Sequence, residues 1–583
     1  MPQECPAGSW KRVLSFSLLL AFLYWLYGWR PLFLPLSAVD DGLYISHAEA
    51  ILKWLSGDSP YWLGPFQPHL LAKAPLYGIW LALLNLLGLP VRVGEFLLLF
   101  AGALMFRQAV RPVRLLRFWE FTVVTFLIVA NPMVPENYAL HREGLQICLT
   151  NMCLIATVGL ALRMRESLAT RLRWALLTGF VLGLAYLNRE EAVWLVAAVA
   201  AMLVLSLING VLQWRRGQLS LRSLVVAHAL IVAVTYLAAT PLSLGVSVLN
   251  KKHYGAFMTS FRRDKAFTDL FHRLTSLEPD GRRPYVPIAR PTRLKAYELS
   301  PTFARMKPYL EEPTSYWSAG NEHSAFNGRS PADKEFFISY FEFCLENSSV
   351  QAGAKNAGEM EDMFRAIDKE LGRAVRAGKI RAGHPGPALL AAYQPGDAQR
   401  IVSEWWQSFF PLLTVNRNVY LWPDSVWQPQ ARLDDLSRLT HSSVAIYKRP
   451  NIYYSAREPV VRLVRQLQRV IYPLLLVAIP VLLIWRRRDI FITAPSLRGL
   501  FAWCLLVPLA GLWAFCFGMA VVNVLGFHFL PNMGYNLLGF APLSVVCACS
   551  FVGLRLFTSP STEGTGSSKD ATPFPAGDRH CGT

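Results

Sequence analysis

Asp40 and Asp41 stand side by side at the end of the first long apolar run, in Leu-Ser-Ala-Val-Asp-Asp-Gly-Leu-Tyr. A carboxylate held against a reacting hydroxyl can take its proton. An acidic pair ahead of a helix can equally be an N-terminal cap favoured by the helix dipole. Basic residues complete the set. Lys73 lies in Leu-Ala-Lys-Ala-Pro-Leu-Tyr, Arg142 and Glu143 in Pro-Glu-Asn-Tyr-Ala-Leu-His-Arg-Glu-Gly, and Arg189, Glu190 and Glu191 in Leu-Asn-Arg-Glu-Glu. Cations of this kind hold phosphate oxygens and stabilise a departing phosphate. Against that, Lys73 could simply snorkel at an interface, and the Arg–Glu neighbours could be helix-end caps or ion pairs between loops. Tyr44, His47 and Glu49 follow the aspartates in an amphipathic stretch, while Glu136 and His141 share the loop of Arg142. Neither histidine is assigned as a metal ligand. No cofactor is required, although Asp40, Asp41 and Glu143 could hold a divalent ion.

The elements that position these residues are membrane helices. Of 583 residues 53% are hydrophobic, and they gather in long runs, which marks a polytopic membrane protein rather than a soluble enzyme. The net charge of +19 resides largely in short Arg/Lys clusters between the runs. That pattern reports membrane orientation and argues against a nucleic-acid partner. Among the nine cysteines only Cys344 falls in the large polar region, so neither an intradomain disulfide nor a Cys-x-x-Cys metal site is expected there. Lys11-Arg12 followed by apolar residues resembles a signal peptide. The segment lacks a small-residue cleavage site and runs too long, so a retained first helix is expected.

Basic clusters at 11–12, 111–117, 163–173, 215–222 and 486–488 should face the cytoplasm. Apolar runs cover 13–35, 74–89, 92–110, 119–133, 144–162, 173–187, 191–211, 223–247, 470–485, 497–522 and 534–557. If all of them crossed, the cluster at 111–117 would face outward. Dropping 74–89, which is shorter than the roughly 20 residues of a spanning helix, restores the rule throughout. The expectation is therefore about ten transmembrane helices, with 74–89 a juxtamembrane or re-entrant helix on the outer face. Residues 36–91, 134–143, 188–190, 248–469 and 523–533 then lie outside. This places every acid and base named above at one membrane depth.

The chain divides into an N-terminal membrane module (1–247), an outer soluble domain of mainly α or α/β type (248–469), C-terminal membrane helices (470–557) and a cytoplasmic tail (558–583). Amphipathic helices are expected at 359–376 and 397–412. The Ser/Gly/Pro/Thr-rich tail is expected to be disordered.

The acidic pair, Tyr44, Gly57-Asp58 and Lys73-Ala-Pro-Leu-Tyr together resemble the GT-C glycosyltransferases, in the style of protein O-mannosyltransferases and the aminoarabinose transferases of lipid A. The resemblance covers roughly residues 10–250. It implies a juxtamembrane helix after Lys73 and a polyprenyl-phosphate sugar as donor. It implies that Asp40 is the catalytic base with Asp41 beside it, that Lys73, Arg142 and Arg189 face the donor phosphate, and that Tyr44, Glu143 and Glu190 support them. Departures are Asp41 for the usual Glu, Ala74 for the first Pro, and Glu143 where Asp is commoner.

The expected function is an inverting transfer of sugar from polyprenyl phosphate to a hydroxyl of a protein such as pilin, of lipopolysaccharide or of a lipid-linked glycan. The expected setting is the periplasmic face of a bacterial inner membrane. An O-antigen ligase or polymerase is the enzymatic alternative, and a lipid-linked sugar transporter the non-enzymatic one. Transporters place ionisable groups within spans near the midplane, whereas these charges crowd the outer ends.

Overall fold

The architecture was read from a computed structural model, which describes residues 9–28, 32–33, 41–131, 142–163, 166–217, 220–278, 286–311, 335–336, 338–384, 390, 393, 395–413, 430–442, 444–445, 452–485, 497–525 and 539–558. It is almost entirely helical. The helices are α1 (Ser9–Leu23, continued by a π turn at Tyr24–Gly28), α2 (Asp41–Leu55), α3 (Leu76–Leu86), α4 (Val91–Val110), α5 (Phe118–Val129), α6 (Glu143–Leu162), α7 (Leu168–Asn188), α8 (Val193–Arg215), α9 (Leu221–Ala239) and α10 (Pro241–Tyr254). There follow α11 (Lys265–Ser276), α12 (Arg290–Leu299), α13 (Pro301–Ala304), α14 (Lys307–Leu310), α15 (Ile338–Gln351), α16 (Ala357–Arg376), α17 (Asp397–Leu413), α18 (Gln430–Thr440), α19 (Ile452–Trp485), α20 (Leu497–Leu525) and α21 (Phe540–Thr558). Two short strands, Leu32–Phe33 and Val444–Ala445, pair in parallel, Leu32 opposite Val444.

Each run expected to span carries a helix, but not always one of spanning length: α5, in the run 119–133, has 12 residues. Among the described residues six helical segments are long and apolar enough to cross a membrane: Val91–Val110, Glu143–Leu162, Leu168–Asn188, Val193–Arg215, Leu221–Tyr254 and Cys504–Leu525. The chain is a polytopic α-helical membrane protein. The segment Leu221–Tyr254 has 34 residues, about 51 Å of helix, well beyond the roughly 30 Å of a hydrocarbon core. Its surplus is the end that carries Lys251, Lys252 and His253. Helix α3 has 11 residues, about 16 Å, and is too short to cross. This agrees with the reading of 74–89 from charge. The expected amphipathic helices are present as α16 and α17, and the tail from 559 lies outside the described residues.

Helix α6 is the hub, buried along nearly its whole length and packed against α4, α7, α8, α20 and α21. Helices α7 and α9 approach closely because Gly179 and Gly183, one turn apart, face the backbone of Thr235 and Ala239, where a Cβ would collide. Small residues at this spacing are how membrane helices gain contact without a hydrophobic driving force. The helices at 265–276 and 357–376 pack together through Phe267, Phe271, Phe364 and Ile367. Helix α17 lies instead along α20.

Candidate functional site at the helix ends

Helix α6 begins where α7 ends, and a polar clasp fixes the junction. Asn188 Nδ2 donates to the Arg142 carbonyl and to Gln146 Oε1, both at 3.0 Å, while Arg142 Nη1 donates back to the Asn188 carbonyl at 3.1 Å. Two ion pairs cross between the loops: Arg142 to Glu190 at 2.8 Å, and Arg189 to Glu143. Both guanidinium groups are buried. The alternative of interloop pairing is therefore realised, each arginine pairing with a carboxylate of the other loop.

The loop after α2 delivers Lys73 to this clasp. Trp62 Nε1 donates to Asn250 Oδ1 (3.1 Å), and the Tyr254 hydroxyl accepts from the Leu63 amide (3.0 Å) while donating to the Gly64 carbonyl (2.9 Å). The loop is thus stapled to α10. Beyond it, α3 folds back on α2 at Gly78, where a Cβ would stand 2.5 Å from the Cβ of His47. That approach sets Tyr44 edge-on to Tyr77, ring centroids 5.2 Å apart, with Lys73 Nζ 5.9 Å from the Tyr44 ring.

Lys73 is 6% exposed, which excludes a snorkelling role. Burial pushes its ammonium well below the ordinary lysine range, and Arg142 and Arg262 push the same way against the pull of Glu190 and Glu143. Burial likewise raises the Tyr44 phenol, within the field of Arg142, Glu143, Glu190 and Arg189. The structure thus brings together Tyr44, Lys73, Arg142, Glu143, Arg189 and Glu190 from three sequence-distant loops. Asp40 lies outside the described residues. Asp41 opens α2, and its side chain lies outside the description, as do the Glu191 side chain, Glu136 and His141. His47 is a core residue: its Nε2 donates to the Leu70 carbonyl at 2.9 Å, and burial lowers its pKa to about 4. Glu49 is half-buried on the same helix. No group of three or more His, Cys, Asp or Glu suited to a metal ion occurs among the described residues.

Sequence reasoning missed a second shell of charge from beyond α10. A short turn at Phe261–Arg263 is tied to the Lys73 loop by the Phe261 amide, which donates to the Leu71 carbonyl at 2.9 Å. Arg262 pairs with Glu342 of α15 and lies 5.5 Å from the Phe343 ring. Burial pushes the Glu342 carboxyl up to about 7, outweighing the opposing fields of Arg262 and Lys73. One turn on, Glu346 pairs with His69 Nδ1 at 3.1 Å. Arg263 stacks on the Tyr186 ring at 3.7 Å and donates to the Tyr186 carbonyl. Nothing in the sequence singled these residues out, because a long outer segment such as 248–469 carries basic residues freely.

Fold and site together define a polytopic membrane protein with a buried cluster of cations and carboxylates at its helix ends. No protein-family model matches the chain, and no curated protein does. Two crystal structures of ArnT from Cupriavidus metallidurans are similar to it, one in the apo state and one bound to undecaprenyl phosphate. Each is 14% identical with a TM-score of 0.32, over 94% of this chain and 78% of the other. A likeness this slight leaves the functional reading to the residues themselves.

Proposed function

We propose that this chain is an inverting GT-C glycosyltransferase that moves a sugar from a polyprenyl-phosphate donor to an acceptor hydroxyl on the periplasmic face of a bacterial inner membrane. The acceptor is a periplasmic protein such as pilin, lipopolysaccharide or a lipid-linked glycan. One observation carries the reading: Lys73, Arg142 and Arg189, drawn from three loops, are buried within one electrostatic cluster at the end of the membrane helices. Burying like charges together is costly unless an anion or carboxylates offset them. A phosphate would compete with Glu143 and Glu190 for the same guanidinium groups, since bidentate arginine contacts suit both anions. It would also favour the charged form of Lys73, which burial disfavours.

In the proposed step Asp40 accepts the acceptor hydroxyl's proton as its oxygen attacks the anomeric carbon. The bond from that carbon to the phosphate oxygen breaks, and polyprenyl phosphate leaves toward the cations. A single displacement inverts the anomeric configuration. General-base help contributes about 10²–10⁴-fold, and positioning supplies the rest. Residues 248–469 would cover the site and select the acceptor.

The test is transfer from a labelled polyprenyl-phosphate sugar by purified protein. Asp40→Asn should lose activity on the order of 10²–10⁴-fold; near wild-type transfer would remove Asp40 from the base role. Lys73→Ala should weaken use of the donor more than of the acceptor, and the reverse would remove Lys73 from the phosphate.

A further inference from the structure

Helix α17 belongs by sequence to the large polar region, yet its contacts are with a membrane helix. Glu404 accepts from Asn523 Nδ2 at 2.8 Å, near the end of α20. Three residues earlier Ile401 packs among Ala520, Val524 and Leu525, while the residue after Glu404, Trp405, donates its Nε1 to the Trp513 carbonyl at 3.2 Å, and its ring meets Trp513 and Phe517 at 5.1 and 5.6 Å. Phe409 then stacks on Trp513 at 4.6 Å. The two helices therefore run antiparallel, and α17 tracks α20 from Asn523 down to Trp513. Those ten residues of helix span about 15 Å, half of a hydrocarbon core of roughly 30 Å. Trp513 lies well inside the apolar segment Cys504–Leu525.

This packing leaves one edge of the apolar arc of α17 largely exposed, although Trp406 on that edge also meets Trp513, ring centroids 5.6 Å apart. Ile401, Phe409 and Leu412 are buried against protein. Val402, Trp406 and Phe410, spaced four residues apart on the adjoining edge, are 51%, 57% and 64% exposed. Such a stripe facing water would be an unusual liability. It continues the outer surface of α20, where Phe517 is itself 45% exposed beside Trp405.

We infer that α17 is a membrane-inserted helix and that its Val402–Trp406–Phe410 edge is covered by acyl chains of the leaflet around the Asn523 end of α20. The region around it would then be pinned to the bilayer as well as tethered through the chain. This inference does not depend on the glycosyl-transfer reading.

The test uses the full chain in phospholipid vesicles, with Cys5→Ser and Cys581→Ser to remove background; the seven other cysteines are buried. Val402→Cys, Trp406→Cys, Phe410→Cys and the polar-edge control Gln407→Cys are nitroxide-labelled one at a time. Collisions with oxygen should exceed those with a water-soluble nickel chelate several-fold at the first three positions, and by less at the control. Free access of the nickel chelate at all three would make the edge aqueous and overturn the proposal. Exclusion of both reagents would mean that protein covers the edge, which overturns it equally. Should a variant fail to insert, the unsubstituted protein is reacted with a phospholipid carrying a carbene precursor in its acyl chain. Adducts on the peptide containing Trp406 are expected, and their absence would count against insertion.

Discussion

The two ends of helix α6 both hold buried arginines, and they use them differently. At the C-terminal end Arg163 donates to the carbonyls of Ala109 and Gly159 at 3.0 and 2.9 Å and to that of Gln108, and stacks on Trp174 at 4.3 Å. These are acceptors that helix ends leave unsatisfied, and Arg163 closes the ends of α4 and α6 at once, with the more exposed Glu166 no nearer than 3.6 Å. At the N-terminal end Arg142 and Arg189 face carboxylates from each other's loop, with Lys73 and Arg262 in the same field. A carbonyl staple has no reason to exchange its partner. A carboxylate pair can give way to another anion. The comparison teaches that burial alone does not mark a functional arginine; the chemistry of its partner does.

The sharpest way to break this contrast is a double substitution. Arg189→Met alone removes the guanidinium that pairs with the half-buried Glu143 and should destabilise the protein by about 3–5 kcal/mol, as broken buried pairs do. Adding Glu143→Gln removes the carboxylate's charge as well, so thermal stability should recover. Transfer from the polyprenyl donor should stay down by about 10–100-fold, the worth of one charged hydrogen bond. If the double variant regained near wild-type transfer, the pair would be a staple like Arg163 and the contrast would fail. Arg163→Met should do the opposite. It should lower stability by about 2–4 kcal/mol while leaving the donor KM of the folded fraction unchanged, measured by melting and by initial rates.

How much of this was legible in advance depends on the physical signal. Apolar run length and the placement of Arg/Lys clusters carry membrane topology directly, which is why the short α3 could be set apart from its neighbours. Amphipathic periodicity carried α16 and α17. It could not say that the apolar side of α17 docks on α20, because a helix face built for a soluble core and one built for a membrane helix have the same period. At the site, the lysine and the two arginine loops announced themselves by sitting at span ends. Asn188, which clasps α6 to α7, looks like any loop asparagine. Arg262 and Glu342, eighty residues apart, become neighbours only through tertiary packing. Ion pairs between the two arginine loops were one of the expectations, but which arginine meets which carboxylate is set only by tertiary packing.

A smaller effect probes how the site is held. Gly78→Ala should force α3 away from His47 and Tyr44, destabilising by about 1–3 kcal/mol as overpacking does. Because Lys73 sits just ahead of α3, the donor KM should rise as well. A stability loss with no change in KM would mean that the lysine is placed by the staples to α10 rather than by α3.

The smallest effect is also the most discriminating, because two buried groups near Lys73 should give pH slopes of opposite sign. Burial pushes the Glu342 carboxyl up to about 7 in the folded protein, above the ordinary 4.5. The folded state therefore binds more protons than the unfolded one between these values, and this contribution to stability is lost as pH rises through that window. Burial pulls the His47 imidazole down to about 4 when folded, below the ordinary 6.5. Its contribution is present above about 6.5 and lost as pH falls toward 4. Between pH 5 and 6.5 the two offset one another. Relative to the unsubstituted protein, Glu342→Gln should make stability climb more steeply with pH across this range. His47→Gln, whose amide can still donate to the Leu70 carbonyl, should make it climb less steeply or fall. Denaturant melts at pH 5, 5.75 and 6.5 would read both differences, with other titrating groups cancelling in the subtraction. No change of slope in Glu342→Gln would mean that Arg262 keeps Glu342 ionised throughout this range, and that this outer group is a plain ion pair rather than a protonated acid at the edge of the cation cluster.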